Sequence, residues 1–401
     1  MVEIIDSLVK LKRYCESEKL EGWDPYDGLN SRVIQSVLPL KYSAFLRLCV
    51  IQGFKRCPVN LRRLLRVPKE YNAKGVGLFL QGYCNLYKAV HMRPELEALF
   101  GNSESLLCNI HRTAKLLLSL RSNGPYSGAC WGYNFDWQAR RLFLFPKNTP
   151  TVVATSFCAS ALFEAYEITH EKKYLEVALS SAEFVMRDLH RTPCGTGFLF
   201  AYSPLLGNNT VYNASLLGSR LLSYAYHYTQ KDDYWDAARM SVQACVESQQ
   251  KDGSWVYGRL PVQNWIDSFH TGYNIEALYT YREKTGDSSF DLQIEKGFRF
   301  YIDHFFLPDG CPKYYHNRVY PIDIHCPAQL FVTLERLGRW HQYRDLADHV
   351  MRWTLKHMQH KTGYFYYQKK AYWSSKIPYM RWNNAFMFYA LTYALLGDIR
   401  E

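Results

Sequence analysis

The sequence predicts an all-α fold, an (α/α)6-type toroid of helical hairpins with short β-hairpin-like loops over one end of the ring. Three observations predict it. A two-helix unit recurs along the chain, its first helix is apolar on most faces while its second is amphipathic, and a glycine-containing aromatic loop precedes the first helix. An inner ring of buried helices inside an outer ring accounts for all three.

The repeat is clearest in the polar turns that join the two helices of each unit. Corresponding positions in successive turns are 53 to 60 residues apart, which accommodates two helices of about 15 to 20 residues and their loops. Two further hairpins fit upstream, with an inner helix at 75–90 and an outer helix at 105–123. Six hairpins closing on themselves are predicted, and an open superhelix is the competing architecture. The aligned positions are Thr169, Thr229, Thr285, Gly338 and Gly397.

Each of the later inner helices follows a loop in which aromatic residues alternate with small or polar ones. This alternation is typical of short β-hairpins, and we expect the loops to cross one end of the ring and to line a cleft with aromatic side chains. The loops span 128–138, 194–204, 249–258, 308–317 and 361–370.

The last predicted helix has the character of an inner helix, but no outer helix follows it. Closure of the ring therefore requires residues before 70 to supply the missing outer helix. We expect residues 1–70 to form a helical and loop segment packed on the toroid, and residues 71–401 to form the toroid domain. The first 20 residues predict an amphipathic helix with charges throughout, which is not the pattern of a secretion signal.

Composition indicates a globular protein with a large core. The chain has 401 residues, of which 48% are hydrophobic and 16% aromatic. Its 11 cysteines are scattered, with no CxxC pair and no zinc-type spacing, and this predicts reduced thiols and a cytoplasmic location. No stretch approaches 18 uncharged apolar residues. We expect no cofactor and no metal site.

The formal net charge of +11 favours acidic partners such as anionic glycans, nucleic acid or a lipid surface. A basic run occupies residues 54–69. No nucleic-acid-binding module is recognisable, so nucleic acid is not an expected partner. The expected partner is an anionic glycan or a sugar precursor.

Polar residues gather where each inner helix is predicted to begin, at one axial level of the ring. The positive ends of the helix dipoles would favour an anion there. The strongest segment is 264–274, in which Asp267 and His270 are spaced i,i+3, so that the carboxylate can orient the imidazole as a general base. The alternative is a helix-capping aspartate beside a structural histidine.

Polar residues also stand at the predicted starts of two later inner helices. Asp323 and His325 precede Pro327 at the start of a helix, and simple capping is the alternative. Arg381 and Asn383 begin the last apolar helix. An arginine at that position fits a carboxylate or phosphate in a bidentate manner, or else pairs with Asp267 or Asp323.

Tryptophans near these segments offer faces for sugar rings. Trp131 and Trp137 flank Asp136, and core packing is the alternative for both indoles. The loop at 23–30 carries two carboxylates and is expected to be a structural turn, although it could cap the mouth of the ring. The predicted catalytic residues are His270, Asp267, Tyr273, His325, Asp323 and Asp136. The predicted substrate-binding residues are Arg381, Asn383, Asn274, Asn213, Tyr212, Trp131, Trp137, Trp265 and Trp382.

The chain resembles, over nearly its whole length, a bacterial family found in cell-surface polysaccharide gene clusters. The segments that carry this resemblance include WGYNFDWQ, VYNASLLGSRLL, NWIDSFHTGYN and PKYYHNRVYPIDIHCPAQ. Members resemble six-hairpin glycosidases and toroidal glycan lyases or epimerases. Some carry the label delta-aminolevulinic acid dehydratase, which implies a TIM barrel with Schiff-base lysines and does not match the helical repeats. The resemblance implies a role in surface-polysaccharide biosynthesis, with assembly proteins at the inner membrane surface as further partners.

Two classes of function follow. An enzyme could act on a uronate-containing glycan or its precursor, either as a lyase or epimerase that abstracts a proton or as a hydrolase. In the first case Arg381 with Asn274 or Asn383 would neutralise the sugar carboxylate, while His270, His325 or Tyr273 moves the proton. In the second, two of the aspartates would act as acid and base. The other class is a non-catalytic glycan-binding or assembly protein.

One segment points to a different class of toroid. Residues 249–255, QQKDGSW, match the QxxDGxW repeat of squalene-type terpenoid cyclases. Only one copy is present, and the acidic DxDD motif of those cyclases is absent from the sequence. The match therefore supports the toroid and leaves a cyclase as the weakest alternative.

Overall fold

A computed structural model describes residues 1–37, 39, 42–138 and 144–400 and shows two concentric rings of helices. Within those residues the inner ring has six helices: α3 (Ala73–Met92), α5 (Val152–Thr169), α7 (Tyr212–Thr229), α9 (Ser268–Thr285), α11 (His325–Arg336) and α13 (Phe386–Ile399). The outer ring comprises α1 (Val2–Ser17), α4 (Ser103–Ser119), α6 (Lys172–Glu183), α8 (Asp232–Glu247), α10 (Asp291–Phe305) and α12 (Arg344–Met358). Helix α2 (Ala44–Arg56) lies beside the rings.

Short helical turns complete the helical structure. Two single α-turns cover Arg32–Gln35 and Glu97–Phe100. The 3-10 turns are Asp27–Asn30, Pro94–Leu96 and Pro261–Gln263, and the π-helical turns are Phe184–Asp188 and Met380–Ala385. Within the described ranges, no helix is both long enough and apolar enough to cross a membrane.

The inner ring closes on itself. Each inner helix packs against the next one in chain order, and α13 packs against α3. The inner helices are buried on nearly every face, as in α5, where residues 152–165 are all buried. This continuous contact confirms the toroid and excludes an open superhelix, in which the first and last inner helices would be far apart.

The outer partner of α13 is α1, from the opposite end of the chain. Helix α1 buries one stripe of residues spaced three or four apart, which is the pattern of an amphipathic helix that covers a core. The buried residues are Ile4, Ser7, Leu8, Leu11 and Cys15. A helix from before residue 70 thus completes the sixth hairpin, as ring closure required. The position of a domain boundary at residue 70 stays a prediction.

Each aromatic loop contains a glycine that packs against the backbone of an outer helix. At Gly363, a Cβ atom would lie only 2.3 Å from the carbonyl oxygen of Lys10 in α1, and at Gly253 it would lie 2.3 Å from that of Lys296 in α10. Only glycine permits so close an approach of loop to helix backbone. Gly128, Gly197 and Gly310 make the same contact with α6, α8 and α12. Helix α1 therefore occupies the place in the sixth hairpin that the other outer helices occupy in theirs.

The loops form only short stretches of β-structure. Strands β1 (Trp137–Gln138) and β2 (Leu144–Phe145) pair antiparallel, as do β3 (Arg191–Cys194) and β4 (Gly197–Phe200). Strands β5 (Ile322–Asp323), β6 (Gln368–Lys369) and β7 (Ser374–Ser375) form a three-stranded antiparallel sheet. The two loops at 249–258 and 308–317 make isolated bridges instead. All of these loops lie at the end of the ring where the inner helices begin.

Replacing Gly363 with alanine tests the role of the loop glycine. The new Cβ would clash with the Lys10 carbonyl group, and φ is +107° at this residue, so we expect a loss of about 2–4 kcal/mol in the free energy of unfolding. Denaturant titration measures this loss. Gly286→Ala is the matched control, because φ is +75° there but nothing lies within 4 Å of the added atom. Equal losses in the two variants would contradict the account of the contact with α1.

Candidate functional site

A cleft of about 960 Å³ opens where the six inner helices begin. Its volume suits a small ligand such as one or two sugar units. Each inner helix, or the turn that leads into it, contributes at least one lining side chain. These include Lys74, Val153, Asn213, His270, Tyr273, His325 and Arg381. The structure thus brings together several residues that the sequence placed at one axial level.

Asp267 caps α9 and also orients His270. Its Oδ1 accepts the His270 backbone N–H at 3.1 Å, and its Oδ2 lies 2.8 Å from Nδ1 of the same histidine. The Trp265 indole N–H donates to the same Oδ2 at 3.0 Å. Since an ionised carboxylate only accepts hydrogen bonds, Nδ1 carries the proton and Nε2 is the basic atom. The carboxylate therefore both caps α9 and orients the imidazole, and the role of His270 as a general base stays a prediction.

His270 is the accessible member of the pair. Its side chain is 21% exposed and lines the cleft, whereas the Asp267 side chain has no exposed surface. A neutral imidazole with Nδ1 protonated and Nε2 available can accept a proton from a bound ligand. This is the arrangement that a general base requires.

Tyr273 and His325 form a second polar pair in the cleft. The tyrosine hydroxyl and the Nε2 atom of His325 are joined by a hydrogen bond of 2.7 Å. Burial raises the pKa of Tyr273 well above its usual value. Burial, followed by the nearby basic groups of Lys74 and Arg381, lowers the pKa of His325 well below its usual value. Both groups are therefore neutral near pH 7, and the pair can relay a proton without holding a net charge.

Lys74, in the first turn of α3, places an amine at the floor of the cleft. Its Nζ lies 4.0 Å from the ring centre of Phe157, 4.9 Å from that of Phe386 and 5.2 Å from that of Tyr273. No carboxylate among the described residues lies within ion-pair distance of it. Burial, with the positive charges of Arg381 and Arg220, lowers the pKa of Lys74 well below its usual value. The protein alone therefore disfavours the charged form of this amine, and a neighbouring anion would stabilise that form.

Arg381 lines the cleft but is held by a carboxylate from the opposite end of the chain. Its Nε donates to Asp24 Oδ2 at 2.6 Å and its Nη2 donates to Asp24 Oδ1 at 2.9 Å. Both side chains are 4% exposed. The protein partner of Arg381 is therefore neither Asp267 nor Asp323, the two partners considered from the sequence. The 23–30 loop both holds this arginine and contributes Tyr26 to the cleft wall.

The aspartates lie behind the cleft surface. Asp323 is fully buried, and its Oδ1 accepts hydrogen bonds from the Trp382 indole and the His325 backbone N–H. Its Oδ2 accepts from Gln368 at 2.5 Å. Asp136 accepts the Lys147 backbone N–H at 2.7 Å, outside the cleft. Among the residues that the structure describes, no Asp or Glu lines the cleft.

Aromatic rings form much of the cleft wall. Tyr257 and Trp265 are stacked with their ring centres 4.5 Å apart, and Tyr133 and Phe135 are stacked at 5.5 Å. Trp137 and Trp382 also line the cleft. Flat aromatic faces beside hydrogen-bonding groups are suited to sugar rings, which present apolar C–H faces and polar edges.

Several predicted substrate-binding residues lie away from the cleft. Trp131 is fully buried in the core, and its indole N–H donates to the Leu117 carbonyl oxygen at 2.9 Å. Asn383 is fully buried and its amide donates to two loop carbonyl groups. Tyr212 and Asn274 are also buried and do not line the cleft. These four residues therefore pack in the core or hold loops in place, and they do not face the cleft.

Other cleft residues were not singled out from the sequence. They include Tyr26, Lys74, Tyr133, Tyr202, Tyr257, Tyr314 and His316, together with Asp24 behind Arg381. Lys74 had a detectable signal, since it is the one charged residue in the first part of a long apolar segment, AKGVGLFLQGY. A lysine there stands out because unpaired charges are rarely buried.

The QQKDGSW segment has a structural role. Gln249 donates to the carbonyl oxygens of Gly253 and Gln293, at 2.9 and 3.0 Å, and Trp255 donates to the Cys245 carbonyl oxygen at 2.9 Å. These contacts join the loop to α8 and α10. Within the described part of the chain, no group of three or more His, Cys, Asp or Glu side chains could hold a metal ion.

Replacing Lys74 with methionine tests the unpaired amine. Methionine fills a similar volume among the three rings without a charge, so we expect the free energy of unfolding at pH 7 to rise by about 1–3 kcal/mol. Because the folded-state pKa of Lys74 is lowered, its destabilising effect declines as pH rises towards the unfolded-state value. The difference between wild type and variant should therefore narrow between pH 7 and pH 10. Denaturant titrations across this range measure it, and a variant less stable than wild type at pH 7 would contradict the account.

Solved structures of several carbohydrate-active proteins share this architecture. A cellobiose 2-epimerase from Bacillus thermoamylovorans is 12% identical, with 82% of this chain and 90% of that chain covered and a TM-score of 0.58. An unsaturated glucuronyl hydrolase specific for heparin is 14% identical, with 99% and 96% covered and a TM-score of 0.59. A polysaccharide lyase is 9% identical, with 100% and 97% covered and a TM-score of 0.59.

These similarities confirm the predicted fold. No family model matches the chain, and no curated protein sequence matches it. At such low sequence identity the shared architecture shows the (α/α)6 toroid and does not transfer any one activity.

Proposed function

We propose that the chain is an enzyme that moves a proton at the carbon beside the carboxylate of a uronate-type sugar, as an epimerase or a lyase. The composition of the cleft surface carries this proposal. Three imidazoles, of His270, His316 and His325, and four cationic side chains line the cleft, and no carboxylate of the described residues does. The cationic residues are Lys55, Lys74, Arg318 and Arg381.

The charge of the cleft floor supports an anionic substrate. The Asp24 carboxylate already offsets Arg381, whereas Lys74 has no such partner. A sugar carboxylate beside Lys74 would supply the missing negative charge, and the starts of the inner helices would add a favourable dipole contribution. A neutral sugar would not stabilise the charged form of the amine.

Proton abstraction suits the groups present. The hydrogen on C5 of a uronate is acidified by the neighbouring carboxylate, because the electrons left on C5 spread onto its oxygens. His270 Nε2 accepts this proton, with Asp267 stabilising the imidazolium that forms. Lys74 and Arg381 stabilise the charge that develops on the carboxylate.

The Tyr273–His325 pair accounts for the second half of the reaction. In an epimerase, the tyrosine hydroxyl returns a proton to the opposite face of C5. In a lyase, the C4–O bond breaks, a C4=C5 double bond forms, and the departing oxygen takes the proton. Either outcome uses a neutral donor next to a base, which the 2.7 Å hydrogen bond provides.

Hydrolysis by paired carboxylates is less well supported. That mechanism needs two carboxyl groups on either side of the glycosidic bond. Asp267 and Asp323 are buried and bound by protein donors, and Asp136 lies outside the cleft. No two of the three are available to one substrate without rearrangement.

We place this activity in the biosynthesis of a bacterial surface polysaccharide, within the cytoplasm, with assembly proteins as partners. The resemblance of the chain to the family found in polysaccharide gene clusters supports this setting. The aromatic wall of the cleft supports a glycan or glycan precursor as the substrate.

Incubation with uronate-containing oligosaccharides in deuterated water tests the reaction. We expect mass spectrometry to show deuterium at C5, or ultraviolet absorbance to show an unsaturated uronate. Matched oligosaccharides with neutral hexose should give neither product, since they lack the carboxylate. Cleavage without exchange or unsaturation would favour the hydrolase, and tight binding without turnover would favour a glycan-binding protein.

His270→Gln tests the assigned base. Glutamine keeps hydrogen-bonding capacity but cannot accept the proton, so we expect kcat to fall by at least about 100-fold with little change in KM. Steady-state kinetics with the active oligosaccharide measures both values. His227→Gln is the matched control, because His227 lies near the far end of α7 and should leave both values unchanged. Retained kcat in His270→Gln would exclude this residue as the base.

A further inference from the structure

The stretch of chain between Asp27 and Glu70 carries only positive charges. Residues 28–69, here called the basic segment, contain nine Lys or Arg residues and no Asp or Glu. Since the whole chain has a net charge of +11, the basic segment accounts for most of it. So uneven a charge distribution attracts an extended negative surface.

Several of these charges are free to meet an external partner. Arg62 is buried and paired with Asp27 at 2.7 Å, and Lys69 is paired with Glu18. Four arginines of the basic segment are exposed and have no carboxylate within ion-pair distance among the described residues. They are Arg32, Arg56, Arg63 and Arg66. The backbone N–H of Arg32 donates to the Arg66 carbonyl oxygen, which brings two of them together.

The same segment exposes large apolar side chains. Tyr42 and Leu64 are each 75% exposed, Phe45 is 65% exposed and Val59 is 62% exposed. Helix α2 buries Ile51 and Phe54, and it leaves Phe45 and Arg56 on its outward side. Exposed apolar groups beside basic ones are typical of proteins that lie on a membrane surface, where the apolar groups enter the headgroup layer.

A second element extends this surface. The turn between β6 and β7 exposes Tyr372 almost completely and Trp373 by 39%. The chain that leaves β7 packs against the basic segment, since the guanidinium of Arg62 lies 4.6 Å from the ring centre of Tyr379. Tyrosine and tryptophan favour the boundary between water and lipid.

We propose that the basic segment, with the β6–β7 turn, binds the surface of a bilayer that contains anionic lipids. Charge complementarity argues for an anionic partner, and the exposed apolar side chains argue for a bilayer over a soluble polyanion. Gln52 and Lys55 of the basic segment line the cleft, as does Tyr26, which precedes the segment by two residues. Membrane binding would therefore place the mouth of the cleft next to the lipid surface.

Flotation of the full chain with lipid vesicles tests this proposal. We expect binding to vesicles of phosphatidylglycerol mixed with phosphatidylcholine, and little binding to phosphatidylcholine alone. The triple variant Arg32→Glu, Arg56→Glu, Arg63→Glu should bind at least about 100-fold more weakly, since each basic residue near an anionic surface contributes roughly fivefold. The control Lys115→Glu, Lys172→Glu, Lys251→Glu changes the net charge equally at exposed sites elsewhere and should bind within about twofold of wild type.

The apolar contribution has its own test. Phe45→Ser combined with Leu64→Ser should weaken vesicle binding by about tenfold or more and leave it weak at low salt, because two inserted side chains are lost. Vesicle binding unchanged by this variant would overturn the proposal. So would binding to soluble heparin or single-stranded DNA, weakened by the triple variant, with no binding to vesicles. Thermal unfolding of each variant confirms that it is folded.

Discussion

The inner ring closes because α13 packs against α3, and the position of the cleft follows from this contact. Helix α13 can pack against α3 only if every intervening hairpin turns the chain by a similar angle, and the contact of each loop glycine with an outer helix enforces that regularity. Closure brings the starts of all six inner helices to one end. It also brings Asp24 to Arg381, which are 357 residues apart in the chain. The cleft is therefore a product of the whole ring and belongs to no single hairpin.

The cleft surface is basic because the carboxylates near it are bound by other groups of the protein. Carboxylates near the cleft are bound by protein donors: Asp24 holds Arg381, Asp267 holds His270, and Asp323 holds the start of α11. The basic groups in front of them therefore face the ligand. Deeper in the ring, Arg336 pairs with Glu164 at 2.8 Å and Thr333 donates to Glu276 at 3.0 Å. Arg336 thus has a carboxylate partner within the protein, whereas Lys74 at the cleft floor has none within ion-pair distance among the described residues.

Sequence reasoning could predict the features that repeat and not the features that depend on closure. The hairpin period, the apolar inner helices and the need for an N-terminal outer helix all follow from local patterns, and so does the spacing of Asp267 and His270. The partner of Arg381 could not be predicted, because Asp24 lies in a loop outside the repeats. Trp131 and Trp137 come from the same loop, yet the first donates to the Leu117 carbonyl group in the core and the second lines the cleft. Local sequence does not show which tryptophan is buried in the core and which lines the cleft, because their positions depend on packing between hairpins.

The proposed reaction requires that Asp267 hold His270 as a neutral base facing the cleft. Nitrogen-15 NMR of the histidine-labelled protein at pH 7, with His270→Gln and His325→Gln used to assign the two rings, reports which ring nitrogens carry protons. We expect His270 to carry its proton on Nδ1 and to have an unprotonated Nε2, Asp267→Asn to disturb this state, and His325 to remain neutral at pH 5.5. A His270 ring protonated on Nε2 alone, or a His325 that is fully charged at pH 5.5, would contradict these expectations.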